Sequence, residues 1–137
     1  MSKLETPLIR KYWKHVGGTL VEEFQVIKGS ERNGRRVIDA IIIPNGENEI
    51  VHWSKVSLKG KDIICVQAKK GRLGMYLMGQ TFFSEQLLRK LEPKSIISVA
   101  LCTKDDMVLR PLLEQYPNMQ VVVISTNPSK SAPANNR

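Results

Sequence analysis

The sequence predicts an α/β domain in which a mixed central sheet is flanked by helices, in the order αβββαβαβ. Short runs rich in isoleucine and valine, such as 37–43 and 63–68, have the composition of buried strands. Short turns join the first strands, as in antiparallel pairs, whereas helical segments join the later strands, as parallel pairs require. The 137 residues suffice for one domain with a sizeable core and not for two.

The first half of the chain supplies a helix and two strands. A threonine followed by proline opens a helix predicted over 6–16, and two glycines end it. Strands are predicted over 19–27 and 37–43, joined by a connection that contains an Asn-Gly turn. The second strand is apolar on both faces except at Asp39, so we expect it to lie centrally in the sheet.

The second half of the chain alternates strands and helices. Residues 47–61 allow one extra short strand or hairpin before it. The predicted elements are then a strand over 63–70, a helix over 75–91, a strand over 95–101, a helix over 105–116 and a strand over 119–124. We therefore predict one domain over 1–125. The polar segment 126–137 has nothing to bury and is expected to be a disordered tail.

The composition favours an anionic partner and a cytoplasmic protein. Lysine and arginine number 21 against 13 acids, a net charge of +8, and nucleic acid is the commonest partner of such a surface. A basic surface without a specific partner is the alternative. Cys65 and Cys102 lie in apolar strands without zinc spacing, which is typical of reduced core thiols. No run approaches the ~18 apolar residues that cross a bilayer, so no membrane partner is expected.

Polar residues interrupt two of the predicted buried strands. Asp39 lies in the first, and Gln67 and Lys69 share one face of the other, because side chains alternate along a strand. Carboxylate and amide oxygens are ligands for Mg²⁺, which activates water and stabilises developing charge. A lysine beside them orients water or neutralises the transition state. If the two strands are neighbours, these groups are the inventory for phosphodiester hydrolysis.

The pattern Ile38-Asp39, a spacer of 27 residues and Gln67-Ala68-Lys69 resembles the PD-(D/E)XK nuclease signature. In motif it is most similar to restriction endonucleases of the Mrr type, which carry Gln-x-Lys. The element order over about residues 7–124 is similar to the core of that superfamily. The resemblance implies a restriction-endonuclease-like fold and hydrolysis of DNA that depends on Mg²⁺ or Mn²⁺. It also implies Asp39 and Gln67 as metal ligands and Lys69 as the catalytic lysine.

Three further residues are predicted to contact DNA. Lys70 and Arg72 form a basic cluster directly after the motif. Gln80 lies on the following helix, at a position where similar nuclease families carry a glutamine that faces the site. The chain contains no evident recognition domain, so a homodimer or a partner chain is expected to supply specificity.

The sequence departs from the family pattern in three ways. Ile38 replaces a proline, Gln67 replaces a carboxylate, and no acid lies in the first helix between Pro7 and Val16. Glu22 on the first strand is the predicted substitute for that acid, and strand alternation alone leaves Glu23 open as well.

Two alternatives follow from these departures. The first is a catalytically inactive nuclease-like domain that binds nucleic acid or a protein partner. The second is a basic α/β domain of another fold in which the three polar residues are structural. In that case backbone amides or an ion pair with Lys69 would satisfy Asp39, and Gln67 would be a hydrogen-bonded core amide.

Overall fold

The computed structural model describes residues 5–125, and the predicted tail lies outside the described residues. The elements in chain order are α1 (Thr6–Val16), β1 (Thr19–Ile27), β2 (Arg36–Ile43), β3 (Glu49–Ile50), a 3₁₀ helix (Trp53–Lys55), β4 (Asp62–Arg72), α2 (Met75–Arg89), β5 (Ser95–Lys104), α3 (Leu109–Glu114) and β6 (Met119–Val123). No helix among these residues is long and apolar enough to cross a membrane.

One six-stranded mixed sheet organises the fold, with the strand order β3-β1-β2-β4-β5-β6. β2 is antiparallel to both of its neighbours, β1 and β4. β4, β5 and β6 run parallel, and α2 and α3 form the two crossovers between them. The predicted class, an α/β fold with a mixed sheet flanked by helices, is confirmed.

The helix α1 begins and ends where its sequence requires. Pro7 lies in the first turn, where its missing N–H removes no helical hydrogen bond. Gly17 follows the last turn with a φ of 81°, a conformation that a side chain disfavours. Leu8 and Ile9 form the buried side of the helix against the sheet.

Two regions differ from the predicted elements. The helix predicted over 105–116 is shorter, because the Asp106 carboxylate accepts hydrogen bonds from the backbone N–H groups of Val108 and Leu109 in a turn that precedes α3. Pro111 then lies in the first turn of α3 and does not kink it. The region 47–61 contains the two-residue β3 and the 3₁₀ helix, so the observed order has one strand more than predicted.

Helices cover both faces of the sheet, and the two covered faces differ in chemistry. The face under α1 buries an exclusively apolar cluster, made of Leu8, Ile9, Leu20, Ala40, Ile42, Val66, Ala68, Val99 and Leu101. The face under α2 and α3 buries apolar residues too, but polar side chains are buried among them, namely Gln67, Thr81, Ser84, Glu85 and Ser98.

Candidate functional site

One end of the sheet collects the predicted site residues. Because β2 is antiparallel to β4, the start of β2 at Arg36 lies beside the end of β4 at Arg72. The connection between β1 and β2 lies at the same end, since β1 finishes there at Ile27. We call this the site end of the sheet. Asp39, Gln67 and Lys69 all lie near it, on neighbouring strands.

Side chains replace the backbone ladder between β2 and β4 at the site end. The ladder pairs run only from Ala40 with Val66 to Ile42 with Ile64. Beyond them, Asp39 Oδ2 accepts a hydrogen bond of 2.9 Å from the backbone N–H of Ala68. Gln67 Oε1 in turn accepts one of 3.3 Å from the backbone N–H of Asp39. The structure therefore brings the Asp39 carboxylate and the Gln67 amide oxygen together in the gap between the strands.

Gln67 is fixed from a second direction. Its side chain is buried, with 5% of the residue exposed, and Nε2 donates to Ser84 Oγ of α2 at 2.7 Å. The contacts are those of a hydrogen-bonded core amide, as the structural alternative expected. An amide oxygen has two lone pairs, so accepting from Asp39 N–H leaves one for another partner.

The Asp39 carboxyl is half-buried and lies in a field of other carboxylates. Burial raises its pKa above the usual value, and the hydrogen bond from Ala68 N–H opposes that rise. The negative charges of Glu5 and Glu23 add to the rise. Two glutamates therefore act on the Asp39 carboxyl, even though the chain as a whole is strongly basic.

Glu5 is the acid that the sequence interpretation missed. It directly precedes α1, is only 8% exposed, and its Oε2 accepts from the backbone N–H of Lys70 at 3.4 Å. This contact places Glu5 beside the end of β4. The helical segment considered for this acid began at Pro7, whereas Glu5 directly precedes Thr6-Pro7.

Glu22, the predicted third acid, is directed away from Asp39. Its strand partner Ala40 belongs to the cluster under α1, and Arg10 Nε and Nη2 of that helix donate to the two Glu22 carboxylate oxygens at 2.9 Å each. Arg10 of α1 is therefore engaged in an ion pair within the protein.

Glu23 is the glutamate that strand alternation left as the alternative to Glu22. It lies opposite Asp39, between the strand pairs Glu22 with Ala40 and Phe24 with Ile38. Its φ of 51° is in the left-handed region, which is uncommon for a residue other than glycine and costs about 1–3 kcal/mol. Strand alternation could not distinguish the two glutamates, and the register of the β1–β2 pair does.

Lys69 shares the strand face of Gln67 and is exposed to solvent. The ion pairs among residues 5–125 do not include one between Lys69 and Asp39, so the proposed structural ion pair is absent. The other structural alternative, satisfaction by a backbone amide, describes one oxygen of Asp39.

The three residues predicted to contact DNA differ in the hydrogen bonds that they make within the protein. Lys70 is exposed and uses its backbone N–H toward Glu5. Arg72 Nη1 donates to the carbonyl oxygen of Asp105 at 2.7 Å, which holds the guanidinium against the loop after β5. Gln80 is exposed on α2.

The donor set suits a hard cation. Asp39 and Gln67 offer oxygen atoms only, and Glu5 and Glu23 add negative charge around them. Oxygen ligands with such charge are what Mg²⁺ prefers. Within residues 5–125, no group of three or more His, Cys, Asp and Glu side chains has the arrangement of a metal site. Cation binding there would therefore depend on the amide oxygen of Gln67 and on water.

Comparisons of the chain with protein-family models, with curated proteins and with solved structures gave no match.

Proposed function

We propose that the protein is a nuclease that hydrolyses phosphodiester bonds of DNA with Mg²⁺ or Mn²⁺, on a restriction-endonuclease-like PD-(D/E)XK fold. The observation that supports this most is the convergence of the Asp39 carboxylate and the Gln67 amide oxygen in the gap between β2 and β4. Lys69 lies two residues further along the same face. The proposed site thus contains a charged ligand (Asp39), a neutral ligand (Gln67) and an exposed ammonium (Lys69).

Each side chain has a distinct role in this proposal. Asp39 and Gln67 hold the cation, which supplies Lewis acidity and a more acidic bound water. The Lys69 ammonium donates hydrogen bonds to the charge that builds on the phosphate oxygens during attack. The negative charges of Glu5 and Glu23 would attract the cation, and they also raise the pKa of Asp39, so cation binding competes with protonation of that carboxyl.

The contacts of Gln67 favour a second candidate, a nuclease-like domain that binds nucleic acid without cleaving it. Both polar atoms of this amide already have protein partners, Asp39 N–H and Ser84 Oγ. A neutral ligand so engaged binds a cation more weakly than a free carboxylate does. In this case the exposed lysines of the site end would contact phosphates with no metal-dependent step.

A plasmid-nicking assay with Mg²⁺ or Mn²⁺ tests the proposal. We expect Asp39→Ala to abolish cleavage, because it removes the one charged ligand among the three predicted residues. Lys69→Ala should reduce the rate by about 10²–10³, the usual loss for one transition-state donor. Lys94→Ala, which removes an exposed lysine at the opposite end of the sheet, is the matched control and should cleave normally.

Two results would contradict the proposal. Salt-sensitive DNA binding by the wild type without cleavage of single- or double-stranded DNA in either metal would favour the second candidate. Equal losses in Lys69→Ala and Lys94→Ala would show that general charge, and not the site, carries the activity.

A further inference from the structure

Two aromatic side chains of α2 point into solvent. Tyr76 is 77% exposed and Phe83 is 64% exposed, whereas large apolar residues of this helix such as Leu77 and Leu88 are buried. They are seven residues apart, two helical turns, so both lie on one side of α2 about 10 Å apart along its axis. Exposed rings are costly to hydrate, and two on one side of a helix mark a contact surface.

The contacts of α2 with its neighbours show how the helix is oriented on the sheet. Ser84 meets Gln67 of β4, and Phe82 packs edge-on against Tyr116 beyond α3, with ring centroids 5.2 Å apart. At about 100° per residue, Tyr76 and Phe83 project about a quarter turn from Ser84, and the Phe83 ring also packs edge-on against Phe82, with ring centroids 5.2 Å apart. This flank of α2, which also carries Gln80, begins at the site end of the sheet, because α2 directly follows the end of β4.

Positive charge lies at the end of the sheet where this flank begins. The site end carries six exposed basic residues that take part in no ion pair among residues 5–125, namely Lys28, Arg32, Arg35, Arg36, Lys69 and Lys70. Four of them belong to the β1–β2 connection and the start of β2. Unpaired basic groups beside exposed aromatic rings are the combination that binds single-stranded nucleic acid, phosphates on the cations and bases on the rings.

We propose that Tyr76 and Phe83 stack on unpaired bases, so that the substrate is DNA with a single-stranded segment and not an intact duplex. Bases inside a duplex present only their edges, so rings on a helix flank cannot stack on them. The inference that the protein binds single-stranded DNA depends only on the exposed residues of the α2 flank and the basic residues of the site end. The statement about which DNA is cleaved rests on the proposed function.

Binding measurements without divalent metal test the inference separately from cleavage. The probes are a fluorescent oligonucleotide as a single strand and as a blunt duplex, titrated by anisotropy at fixed salt. We expect Tyr76→Ala and Phe83→Ala each to weaken single-strand binding roughly 5- to 150-fold, the worth of one stacked base, and to change duplex binding less than about twofold. Tyr76→Trp should restore single-strand affinity, because indole also stacks.

Ile50→Ala is the matched control. Ile50 is 47% exposed and lies on β3 beside the start of β1, at the end of the sheet opposite to the site end, so its loss should leave both affinities unchanged. Equal weakening of single-strand and duplex binding by the two aromatic variants would overturn the inference. Unchanged DNA binding together with a shift from dimer to monomer in sedimentation would also overturn it, and would assign the flank to a second copy of the chain.

The two proposals fail in different ways. If no DNA is cleaved but Tyr76→Ala loses single-strand binding, the nuclease assignment falls and the stacking surface stands. If Asp39-dependent cleavage occurs on duplex and single strand alike, with Tyr76→Ala unaffected, the stacking inference falls alone.

Discussion

The two faces of the central sheet are built by different interactions. Under α1, the buried cluster is apolar, with Leu8 and Ile9 packed on residues of four strands. The ion pair between Arg10 of this helix and Glu22 of β1 is partly exposed. Under α2, hydrogen bonds between buried side chains join the helix to the sheet: Gln67 donates to Ser84, and Ser98 donates to Glu85. Apolar burial is non-directional and stabilises the layer, whereas these bonds also select one position of the helix along the strands.

The candidate site lies on the face with directional contacts. The bond between Ser84 and Gln67 fixes the amide whose oxygen meets the backbone of Asp39. Any shift of α2 along β4 would therefore move a proposed metal ligand. We therefore expect the α1 face to contribute mainly to stability and the α2 face to position the side chains of the site. Substitutions on the two faces separate these contributions.

The largest loss of stability is expected on the apolar face. Leu20 is fully buried at the end of the sheet opposite to the site, so Leu20→Ala should lower the free energy of unfolding by about 2–5 kcal/mol. Urea denaturation measures this, and the folded fraction should bind DNA normally. Leu112→Ala, at a half-exposed apolar residue of α3, should change stability by less than about 0.5 kcal/mol.

A smaller loss is expected from the polar contact between α2 and β5. Glu85 is buried, accepts from Ser98 Oγ at 3.1 Å and pairs with Arg89. Glu85→Ala leaves the buried Ser98 hydroxyl without its acceptor and should cost about 1–3 kcal/mol in urea denaturation. Glu85→Gln keeps an acceptor oxygen, so it should recover part of the loss. Equal losses in the two variants would assign the effect to charge.

Gln67→Glu tests whether geometry on the α2 face serves a cation. It adds a buried carboxylate beside Asp39, so without metal the variant should be less stable than the wild type, by about 1–3 kcal/mol. Mn²⁺ should then raise its melting temperature more than that of the wild type, because binding to the folded state stabilises it. Gln67→Leu is the control and should gain nothing from Mn²⁺. A similar gain in all three proteins would contradict the metal site.

Asp39→Asn should raise the melting temperature at pH 7 in EDTA. The pKa of Asp39 is raised by burial, so the folded state binds more protons than the unfolded state in the window above about pH 3.9. Wild-type stability therefore falls as pH rises through that window, while the asparagine variant keeps an acceptor for Ala68 N–H and carries no charge. The difference should shrink toward pH 3. A lower melting temperature at pH 7 would contradict this.

The smallest change in stability is expected at Lys69. Because it is exposed and makes no ion pair among residues 5–125, Lys69→Ala should shift the free energy of unfolding by less than about 0.5 kcal/mol. Thermal melts beside the nicking assay check both quantities on one sample. A loss of several kcal/mol would revive a structural role for the lysine and weaken the nuclease proposal.

Most strands and helices could be predicted from local patterns in the sequence. Period-two alternation placed Gln67 and Lys69 on one face, and the apolar run around Asp39 placed it in a central strand. The two ends of α1, at Pro7 and Gly17, could also be predicted from the sequence, because proline and glycine act through the local backbone. Such features depend on a few neighbouring residues, which a short stretch of sequence contains.

The groups that meet at the site come from distant parts of the sequence. Glu5 reaches the backbone of Lys70 across 65 positions of sequence, and Ser84 reaches Gln67 across 17. Glu22 and Glu23 are adjacent in sequence, yet one pairs with Arg10 and the other lies opposite Asp39. These contacts depend on sheet register and on where each helix crosses the strands, and a single residue of register exchanges the two faces of a strand. Local composition does not encode that choice, because it is made by packing of the whole chain.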